Sequence, residues 1–409
     1  MPAPEQNLTT DLVREYIAGR CFSRTSGTSY GVEVEFLSIP IDPRRARVDV
    51  VTLSDLLDEP LPGGSVVTFE PGGQVELSSM PRTDIGSVSM AVASDLALVG
   101  ERLRDAGIRL VGLGLDPTRA PQRVTSDPRY AAMEVYFDAT SPGGRMMMAN
   151  TAAIHANIQL DGGAIRRWQL AHRLGPVLLA SFANSPLGPD GPTGCKSSRS
   201  ETWTHIDRGR SGPVDDGSDP ADAWTRYALA ANVMLIRTSY GAVPMTGAFP
   251  LSSWIDDGHA LGFPTLDDVE YHLTTLFPPV RPRGRLELRM IDALPDPWWR
   301  AASAVAWALL ADDEAAEAAN RATETAVGCW TEAARGGLAH PGLAAAADAC
   351  FAAARPALDR LGADADTRAA VDAYHDRYIR RGRTPADDRL DAWETDGSML
   401  PDDQPVEAA

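Results

Sequence analysis

The sequence predicts an α+β fold in which a mostly antiparallel sheet is flanked by helices. Segments with strand alternation occur early and in the middle of the chain, separated by helical segments. Residues 298–381 are alanine-rich and almost continuously compatible with helix, with breaks at 336–342 and near Pro356. We therefore expect one catalytic domain over residues 1–382. Residues 383–409 are acidic and poor in apolar side chains, which predicts a disordered or loosely attached tail.

The individual elements follow from periodicity and from the residues that start or break them. The opening helix, residues 8–21, has Thr9 or Thr10 as its cap and an apolar face that includes Val13 and Ile17. The predicted strands are residues 31–40, 65–79 (two strands around a Pro-Gly-Gly turn), 108–112, 153–160 and 283–295. The other predicted helices are residues 85–106, 127–140, 165–183, 222–236 and 265–276, with an exposed loop at 207–220.

Composition limits the classes of partner. The 409 residues include 38 basic and 56 acidic side chains, for a net charge of −18. Such an acidic surface repels nucleic acid and anionic membranes, so we expect neither as a partner. The chain has no apolar run of about 18 residues and no apolar signal segment, which favours a cytoplasmic protein. The widely spaced Cys21, Cys195, Cys329 and Cys350 form no CxxC pair, which predicts free thiols.

Two carboxylates stand on the polar side of the first predicted strand. Glu33 and Glu35 alternate with the apolar Val32, Val34 and Phe36. Side chains at i and i+2 on a strand point the same way, so the two carboxylates face a cavity or solvent together. Like charges this close repel unless a cation lies between them. Taken alone, this pair would more often be a solvated strand face.

Two further segments repeat the arrangement. Glu70 and Glu76 flank the Pro-Gly-Gly turn, and Glu287 lies on a strand with Arg289 on the same face. Because Asp and Glu are depleted in strands, carboxylates on the polar sides of three strands indicate a convergent site. Such oxygen ligands suit Mg²⁺ or Mn²⁺ rather than zinc.

A magnesium site of this kind usually shares its ligands with substrate phosphates. The sequence contains neither GxxxxGK[ST] nor GxGxxG after a strand. A nucleotide would therefore bind through metal ions and arginines. Arg289, Arg145 and Arg199 could supply charge to the phosphates, although each single arginine is as readily a surface cation.

Several segments in order resemble the glutamate–cysteine ligase 2 family. They are GVEVEF (31–36), FEPGGQVELS (69–78), RSETWTHID (199–207) and EYHLTTLFPPVRPRGRLELRMID (270–292). The resemblance runs from about residue 28 to 310 and is nearest to the actinobacterial branch that serves ergothioneine biosynthesis. It implies a fold like the glutamine synthetase catalytic domain, with a curved sheet forming a funnel.

The family resemblance also implies an activity and its substrates. ATP would phosphorylate the γ-carboxylate of L-glutamate, and the amine of L-cysteine would then displace phosphate to give γ-glutamylcysteine. We expect small-molecule substrates only and a monomer or weak homodimer. Two alternatives remain: a related ligase that uses a different amine, and a decayed family member that only binds its ligands. The clustered charges argue against decay, since selection rarely keeps them without use.

The same resemblance implies roles for named residues. The metal ligands would be Glu33, Glu35, Glu70, Glu76 and Glu287, with His155 as a metal or phosphate contact or else a packed neutral histidine. Arg289 and Glu287 would be catalytic, with Arg289 contacting phosphate in the transition state. The implied substrate-binding residues are Gln74, Arg145, Asn157, Arg199 and Trp203.

Overall fold

The computed structural model describes residues 8–42, 44–214 and 217–401. Within these residues a seven-stranded antiparallel sheet lies among helices, which confirms the predicted α+β class. The strands of the sheet are β1 (Ser29–Pro40), β2 (Val66–Phe69), β3 (Val75–Ser78), β4 (Ile108–Val111), β5 (Ala153–Gln159), β10 (Val280–Pro282) and β11 (Leu286–Asp292). Two small hairpins consist of β6 (Leu187–Gly188) with β7 (Gly191–Pro192), and β8 (Leu235–Thr238) with β9 (Gly241–Pro244).

The described helices include every predicted one and several that the sequence did not predict. Those before the last sheet strands are α1 (Thr10–Cys21), α2 (Val50–Leu56), α3 (Ile85–Asp105), α4 (Pro128–Thr140), α5 (Gly144–Asn150), α6 (Trp168–Ser181), α7 (Ser198–Ile206), α8 (Arg208–Ser211), α9 (Pro220–Ala230), α10 (Leu251–Asp257) and α11 (Leu266–Leu273). Those after them are α12 (Trp298–Ala311), α13 (Asp313–Ala322), α14 (Trp330–Gly336), α15 (Pro341–Arg360), α16 (Ala365–Arg377) and α17 (Pro385–Asp396). Thr9 caps α1 as predicted, since its hydroxyl accepts from the Leu12 backbone N–H at 3.3 Å.

Strand β1 organises the sheet, whose order is β10-β11-β5-β1-β3-β2 with β4 beside the end of β1. Its first half pairs with β5, its middle with β3 and its last residues with β4. The register sets Glu35 opposite Glu76 and Glu33 opposite His155. Directly opposed residues on antiparallel strands project from the same face, so these four side chains lie together.

The apolar face of the sheet packs against the helical layer. Val34 and Ala156 are fully buried there, and α12 and α6 contact β5 and β11 respectively. The Trp307 indole of α12 donates to the Asn157 carbonyl of β5 at 3.1 Å and lies 5.7 Å from the ring of Tyr30. This packing holds the strands in place on their apolar side, so that the polar face is a rigid support for charged side chains.

Two predicted elements differ from the structure. The helix predicted over 222–236 ends at Ala230, and β8 begins at Leu235, because a short apolar run such as 233–236 is compatible with either state. The loop predicted at 207–220 contains the short helix α8, in which Arg210 is fully buried. Residues 215 and 216 of that loop lie outside the described residues.

The predicted disordered tail is wrong over α17. Thr384 and Asp387 form a capping box at its start, and Ala386 is fully buried. Lys196 Nζ lies 2.6 Å from Asp387 Oδ1, and Trp393 packs on Gly191. A few docked side chains therefore suffice to order an acidic segment, while the predicted tail residues 402–409 lie outside the described ranges. No helix of the described residues is long and apolar enough to cross a membrane.

Candidate active site

The polar face of the sheet lines a cavity of about 380 Å³. Its walls contain most of the charged residues that the sequence singled out, together with several arginines from outside the sheet. The polar and aromatic lining residues are Glu33, Glu35, Glu70, Glu76, Ser78, Arg129, Tyr130, Thr151, His155, Arg199, Trp203, Thr274, Phe277, Arg281, Arg283 and Arg289. The carboxylates that strand alternation predicted on one face therefore do lie on the polar face of the sheet, and the register of β1 brings them together.

Two groups of side chains in this cavity have the spacing of a metal site. In one group, ligand atoms of Glu35, Glu70 and Glu76 all lie within 4.8 Å of one another. In the other, ligand atoms of Glu33, Glu76 and His155 do so. Glu76 belongs to both groups, so its carboxylate could be a shared ligand if divalent cations bind in this cavity.

Hydrogen bonds orient these carboxylates. Glu76 Oε1 accepts from the hydroxyls of Thr68 at 2.8 Å and Ser78 at 2.9 Å. Glu35 Oε2 accepts from the Ala153 backbone N–H at 2.7 Å. In Glu35 and Glu76 the second oxygen thus stays available, which is the geometry that a preformed oxygen-ligand site requires.

His155 fits a metal ligand better than a packed core histidine. Its Nδ1 lies 3.0 Å from Glu33 Oε2, while its buried Nε2 has no hydrogen-bond partner and lies 3.8 Å from Glu35 Oε1. Burial, together with the charge of Arg289, lowers the pKa of His155 to about 4, so the ring is neutral. With Nδ1–H donating to Glu33, the Nε2 lone pair faces the carboxylates, as in carboxylate–histidine–metal arrangements.

The charges of the cavity divide its glutamates into two kinds. Burial and the neighbouring carboxylates raise the pKa of Glu35, of Glu76 and of Glu70, the last to about 7. Burial also opposes ionisation of Glu287, but Arg281 and Arg289 outweigh it and hold its pKa well below the usual range. Among the described residues, Glu35, Glu70 and Glu76 thus form no ion pair with an arginine, whereas Glu287 forms two.

Glu287 stands apart from both metal-like groups in the described residues. Arg281 donates two hydrogen bonds of 2.8 Å to Glu287, from Nε to Oε2 and from Nη2 to Oε1. Arg289 Nη1 donates to the same Oε1 at 2.7 Å. Glu287 is fully buried, and its contacts make it the counterion that orients two arginines rather than an open metal ligand.

Three residues predicted to bind substrate lie outside the cavity wall. Arg145 is about half exposed and pairs with Asp138 at 2.6 Å and Glu134 at 3.2 Å, so acidic neighbours on α4 hold it away from the cavity. Gln74 is buried and joins the Gly72 N–H to the Thr151 carbonyl, which fixes the turn that carries Glu70. A predicted contact to phosphate by Arg145 is therefore not compatible with this arrangement.

Asn157 likewise supports the site from beneath it. Its Nδ2 donates to Glu33 Oε1 at 3.2 Å, and its Oδ1 accepts from Arg285 Nε at 2.8 Å. Both polar atoms of the amide are thus engaged within the protein. Asn157 orients Glu33 instead of facing a substrate.

Arg199 and Trp203 form the opposite wall from helix α7. Arg199 is 4% exposed, donates from Nη2 to the Arg289 carbonyl at 2.9 Å and has a buried Nε without a hydrogen-bond partner. Its guanidinium carbon lies 5.8 Å from the Trp203 ring. A second cavity of about 430 Å³ shares these two residues and continues to Met290 and Trp330. The planar guanidinium of Arg199 therefore lies between the first and second cavities.

Sequence reasoning missed Arg281, Arg129 and Arg283, which also line the first cavity. Arg281 could have been found, since it lies opposite Glu287 in the hairpin β10–β11. Arg129 comes from α4 and is held by Thr274, with Nη1 2.9 Å from its hydroxyl. No local pattern brings α4 to the sheet, so Arg129 carries no sequence signal of its role.

A third cavity of about 420 Å³ is lined in part by the loop that joins β10 to β11. Arg281 and Arg283 line both this space and the first cavity, and Arg20 and Arg285 complete its basic side. Glu270 is the one carboxylate among its lining residues in the described chain. In a protein of net charge −18, this is a locally cationic space.

Comparison with known proteins gives consistent matches. The profile of glutamate–cysteine ligase family 2 (GCS2) matches residues 29–404. Glutamate–cysteine ligase EgtA of Mycolicibacterium smegmatis is 41% identical over 373 residues, which cover 88% of this chain and 86% of that protein. EgtA of Mycobacterium tuberculosis H37Rv is 39% identical over 411 residues, covering 95% and 92%. A glutamate–cysteine ligase from Francisella tularensis, solved in complex with AMP, has a TM-score of 0.55 at 12% identity, covering 91% and 86%, and so shares the fold.

Proposed function

The chain belongs to glutamate–cysteine ligase family 2, and from this membership we propose that it joins L-glutamate to L-cysteine at the expense of ATP. The γ-phosphoryl group of ATP passes to the glutamate γ-carboxylate, which releases ADP. The cysteine amine then attacks the acyl phosphate, phosphate leaves, and γ-glutamylcysteine forms. By likeness to relatives that carry the name EgtA, the product supplies ergothioneine biosynthesis.

The observation that supports this proposal is the convergence of unneutralised carboxylates beside fixed arginines. Glu35, Glu70 and Glu76, with Glu33 and His155, would hold Mg²⁺ or Mn²⁺; the orphaned Nε2 of His155 and the free carboxylate oxygens fit such an ion. The bound metal supplies neutralisation of phosphate charge. Phosphoryl transfer needs little else from a protein beyond positioning and electrostatics.

The arginines supply the positioning in this proposal. Arg289 is held by Glu287 and by its own backbone N–H, which donates to the Pro279 carbonyl at 2.8 Å. It is thereby fixed over the carboxylates, where it stabilises negative charge on the transferred phosphoryl group. Arg199 binds the carboxylate of an amino-acid substrate through its planar fork.

The two ends of the site differ in chemistry, and we assign the substrates accordingly. The end at Arg281 and Arg283 adjoins the basic third cavity and suits the nucleotide phosphates. The end at Arg199 and Trp203 adjoins the more apolar second cavity and suits the amino acids. Glutamate then lies between the two, next to the metal ligands, where both reaction steps occur.

One assay tests the activity. ADP release is measured with ATP, Mg²⁺ and L-glutamate, with L-cysteine or with a panel of other amines. Cysteine-stimulated release with formation of γ-glutamylcysteine is expected; stimulation by another amine alone would overturn the acceptor assignment. No turnover, with stabilisation of the fold by glutamate or ATP, would favour the decayed alternative. The pathway is tested by deleting the gene, which should remove ergothioneine from the cell.

Variants of the metal ligands test the site itself. Glu35→Gln and Glu76→Gln should each reduce turnover by about a hundredfold or more, because each removes a ligand that orients the phosphoryl group. Glu317→Gln, at an exposed position on α13, is the matched control and should retain full activity. Activity near that of the wild type in both cavity variants would contradict the ligand assignment.

A further inference from the structure

A buried carboxylate at the end of β11 takes no part in the chemistry above. Asp292 is fully buried and lies on the same strand as Glu287 and Arg289, yet it does not line the first cavity. Gly114 packs so closely against it that an added Cβ would come within 2.5 Å of the Asp292 Cγ. The surrounding backbone is thus shaped around this carboxylate.

The hydrogen bonds of Asp292 lead to helix α7. Oδ2 accepts from the Asn184 backbone N–H at 2.9 Å and from the Ser185 hydroxyl at 2.7 Å. Oδ1 accepts from the Ser197 hydroxyl at 2.9 Å. Because the carboxylate can only accept, both serine hydroxyls must direct their protons towards it.

The two serines also bind backbone N–H groups in the first turn of α7. With their protons turned to Asp292, their oxygens accept from backbone N–H groups: Ser185 from Arg199 at 3.2 Å, and Ser197 from Ser200 at 3.1 Å. Ser197 is also the N-cap of the helix. Asp292 therefore fixes the start of the element that carries Arg199 and, one turn later, Trp203.

Asp292 also provides the counterion of Arg199. Oδ1 lies 3.8 Å from Arg199 Nη1, and both side chains are almost completely buried. A buried guanidinium without a nearby anion would be strongly unfavourable, so the carboxylate keeps Arg199 charged and in place. Arg199 also lines the first cavity, and its buried Nε has no hydrogen-bond partner within the protein.

We propose that Asp292 is a positioning residue for amino-acid binding, acting through Ser185, Ser197 and the start of α7 to hold Arg199. This inference rests on the proposed function, in which Arg199 binds a substrate carboxylate. Asp292 belongs to neither of the metal-like groups found among the described residues. Its removal should therefore weaken amino-acid binding selectively and leave ATP and metal binding intact.

The test is a double-mutant cycle with Asp292→Asn and Arg199→Lys. Asp292→Asn should raise KM for an amino-acid substrate about tenfold or more, while KM for ATP changes less than about twofold. If Asp292 acts through Arg199, the double variant should be little worse than the more impaired single variant. Additive losses, or equal increases in both KM values, would overturn the proposal.

Two further variants separate positioning from folding. Ser185→Ala removes one relay hydroxyl and should raise the same amino-acid KM in the same direction, by a smaller factor, even if Asp292→Asn fails to fold. Asp95→Asn is the matched control, since Asp95 is equally buried and accepts from backbone N–H groups at 63 and 65, away from the cavity. It should lower the urea midpoint without changing either KM. An unchanged amino-acid KM in Ser185→Ala would count against the relay.

The outcome distinguishes this inference from the proposed function. If the wild-type chain forms no γ-glutamylcysteine, the proposed function fails. The same cycle, measured on the free energy of unfolding, still tests whether the carboxylate holds Arg199. Coupling between the two sites would support the positioning, and additivity would refute it.

Discussion

Replacing Glu70 by Gln should stabilise the metal-free protein at alkaline pH, whereas the same change at Glu287 should destabilise it. The substitution is nearly isosteric and removes only the charge. Glu70 faces Glu76 and the other unneutralised carboxylates, while Glu287 lies between Arg281 and Arg289. The sign of the effect therefore depends on the charges around each carboxylate.

The magnitude for Glu70 follows from its pKa. Burial and the charge of Glu76 raise that pKa from 4.5 to about 7, which corresponds to about 3 kcal/mol at about 1.4 kcal/mol per tenfold. Because the neighbouring carboxylates titrate together, we expect the variant to gain about 1–3 kcal/mol. A raised pKa penalises the folded state only where the group ionises, so the gain should be complete above pH 7 and absent near pH 4.5.

For Glu287→Gln, the expected change in the free energy of unfolding has the opposite sign. Its pKa is lowered, so its contribution to stability is present above the unfolded value of 4.5 and is lost only as pH falls through the folded value. Removing the charge at pH 8 leaves two buried or half-buried guanidinium groups without their anion. A loss of about 3–5 kcal/mol is expected for breaking a buried pair in this way.

Urea unfolding in EDTA at pH 8 and pH 4.5 measures both effects, with the exposed Glu317→Gln as a control expected to match the wild type. Adding Mg²⁺ at pH 8 should stabilise the wild type more than Glu70→Gln, because only the wild type retains the full ligand set. The reasoning is refuted if Glu70→Gln is no more stable than the wild type at pH 8 in EDTA. It is equally refuted if its advantage persists unchanged at pH 4.5.

Three further predictions follow from the same geometry. Binding of Mg²⁺ near pH 7 should release protons, since Glu35, Glu70 and Glu76 have raised pKa values; calorimetric titration in two buffers of different ionisation enthalpy measures this, and a buffer-independent heat would contradict it. Arg145→Gln should leave KM for ATP within about twofold of the wild type, whereas Arg289→Gln should lower kcat by about a hundredfold. Steady-state assays measure both constants, and a similar loss of activity in the two variants would contradict our placement of the two arginines. Truncation after Gly382 should lower the free energy of unfolding by about 2 kcal/mol or more, because α17 buries apolar surface; an unchanged urea midpoint would show that the helix contributes nothing.

Strand periodicity predicts which face of each strand carries the carboxylates. Alternation alone places Glu33 and Glu35 on one face, and the same rule applies to Glu76 and Glu287 on their own strands. The register that opposes Glu35 to Glu76 depends on strand pairing, which no local pattern specifies. The cluster was therefore predictable as a face, and its grouping into two metal-like sets was not.

Residues that act through non-local contacts were beyond local patterns. Arg129 lines the cavity from α4, and no local pattern distinguishes Asp292 from the other residues of its strand. The tail was mispredicted for a related reason: its low apolar content predicted disorder, yet Trp393 and the pair of Asp387 with Lys196 dock α17 on the folded chain. The hydrogen bonds of Arg129 with Thr274, of Asp292 with Ser197 and of Asp387 with Lys196 join residues 145, 95 and 191 positions apart, so local composition says nothing about them.

The division of the glutamates explains how a protein of net charge −18 can bind a polyanion. Without metal, the carboxylates around Glu76 repel phosphate, and the fixed arginines are partly neutralised by Glu287. In the proposed function, a divalent cation between those carboxylates would reverse the local charge and would leave Arg281 and Arg289 oriented, since Glu287 is not needed as its ligand. On this proposal the buried salt bridge would orient the arginines whether or not the metal is bound, and the open carboxylates would make phosphate binding depend on the metal.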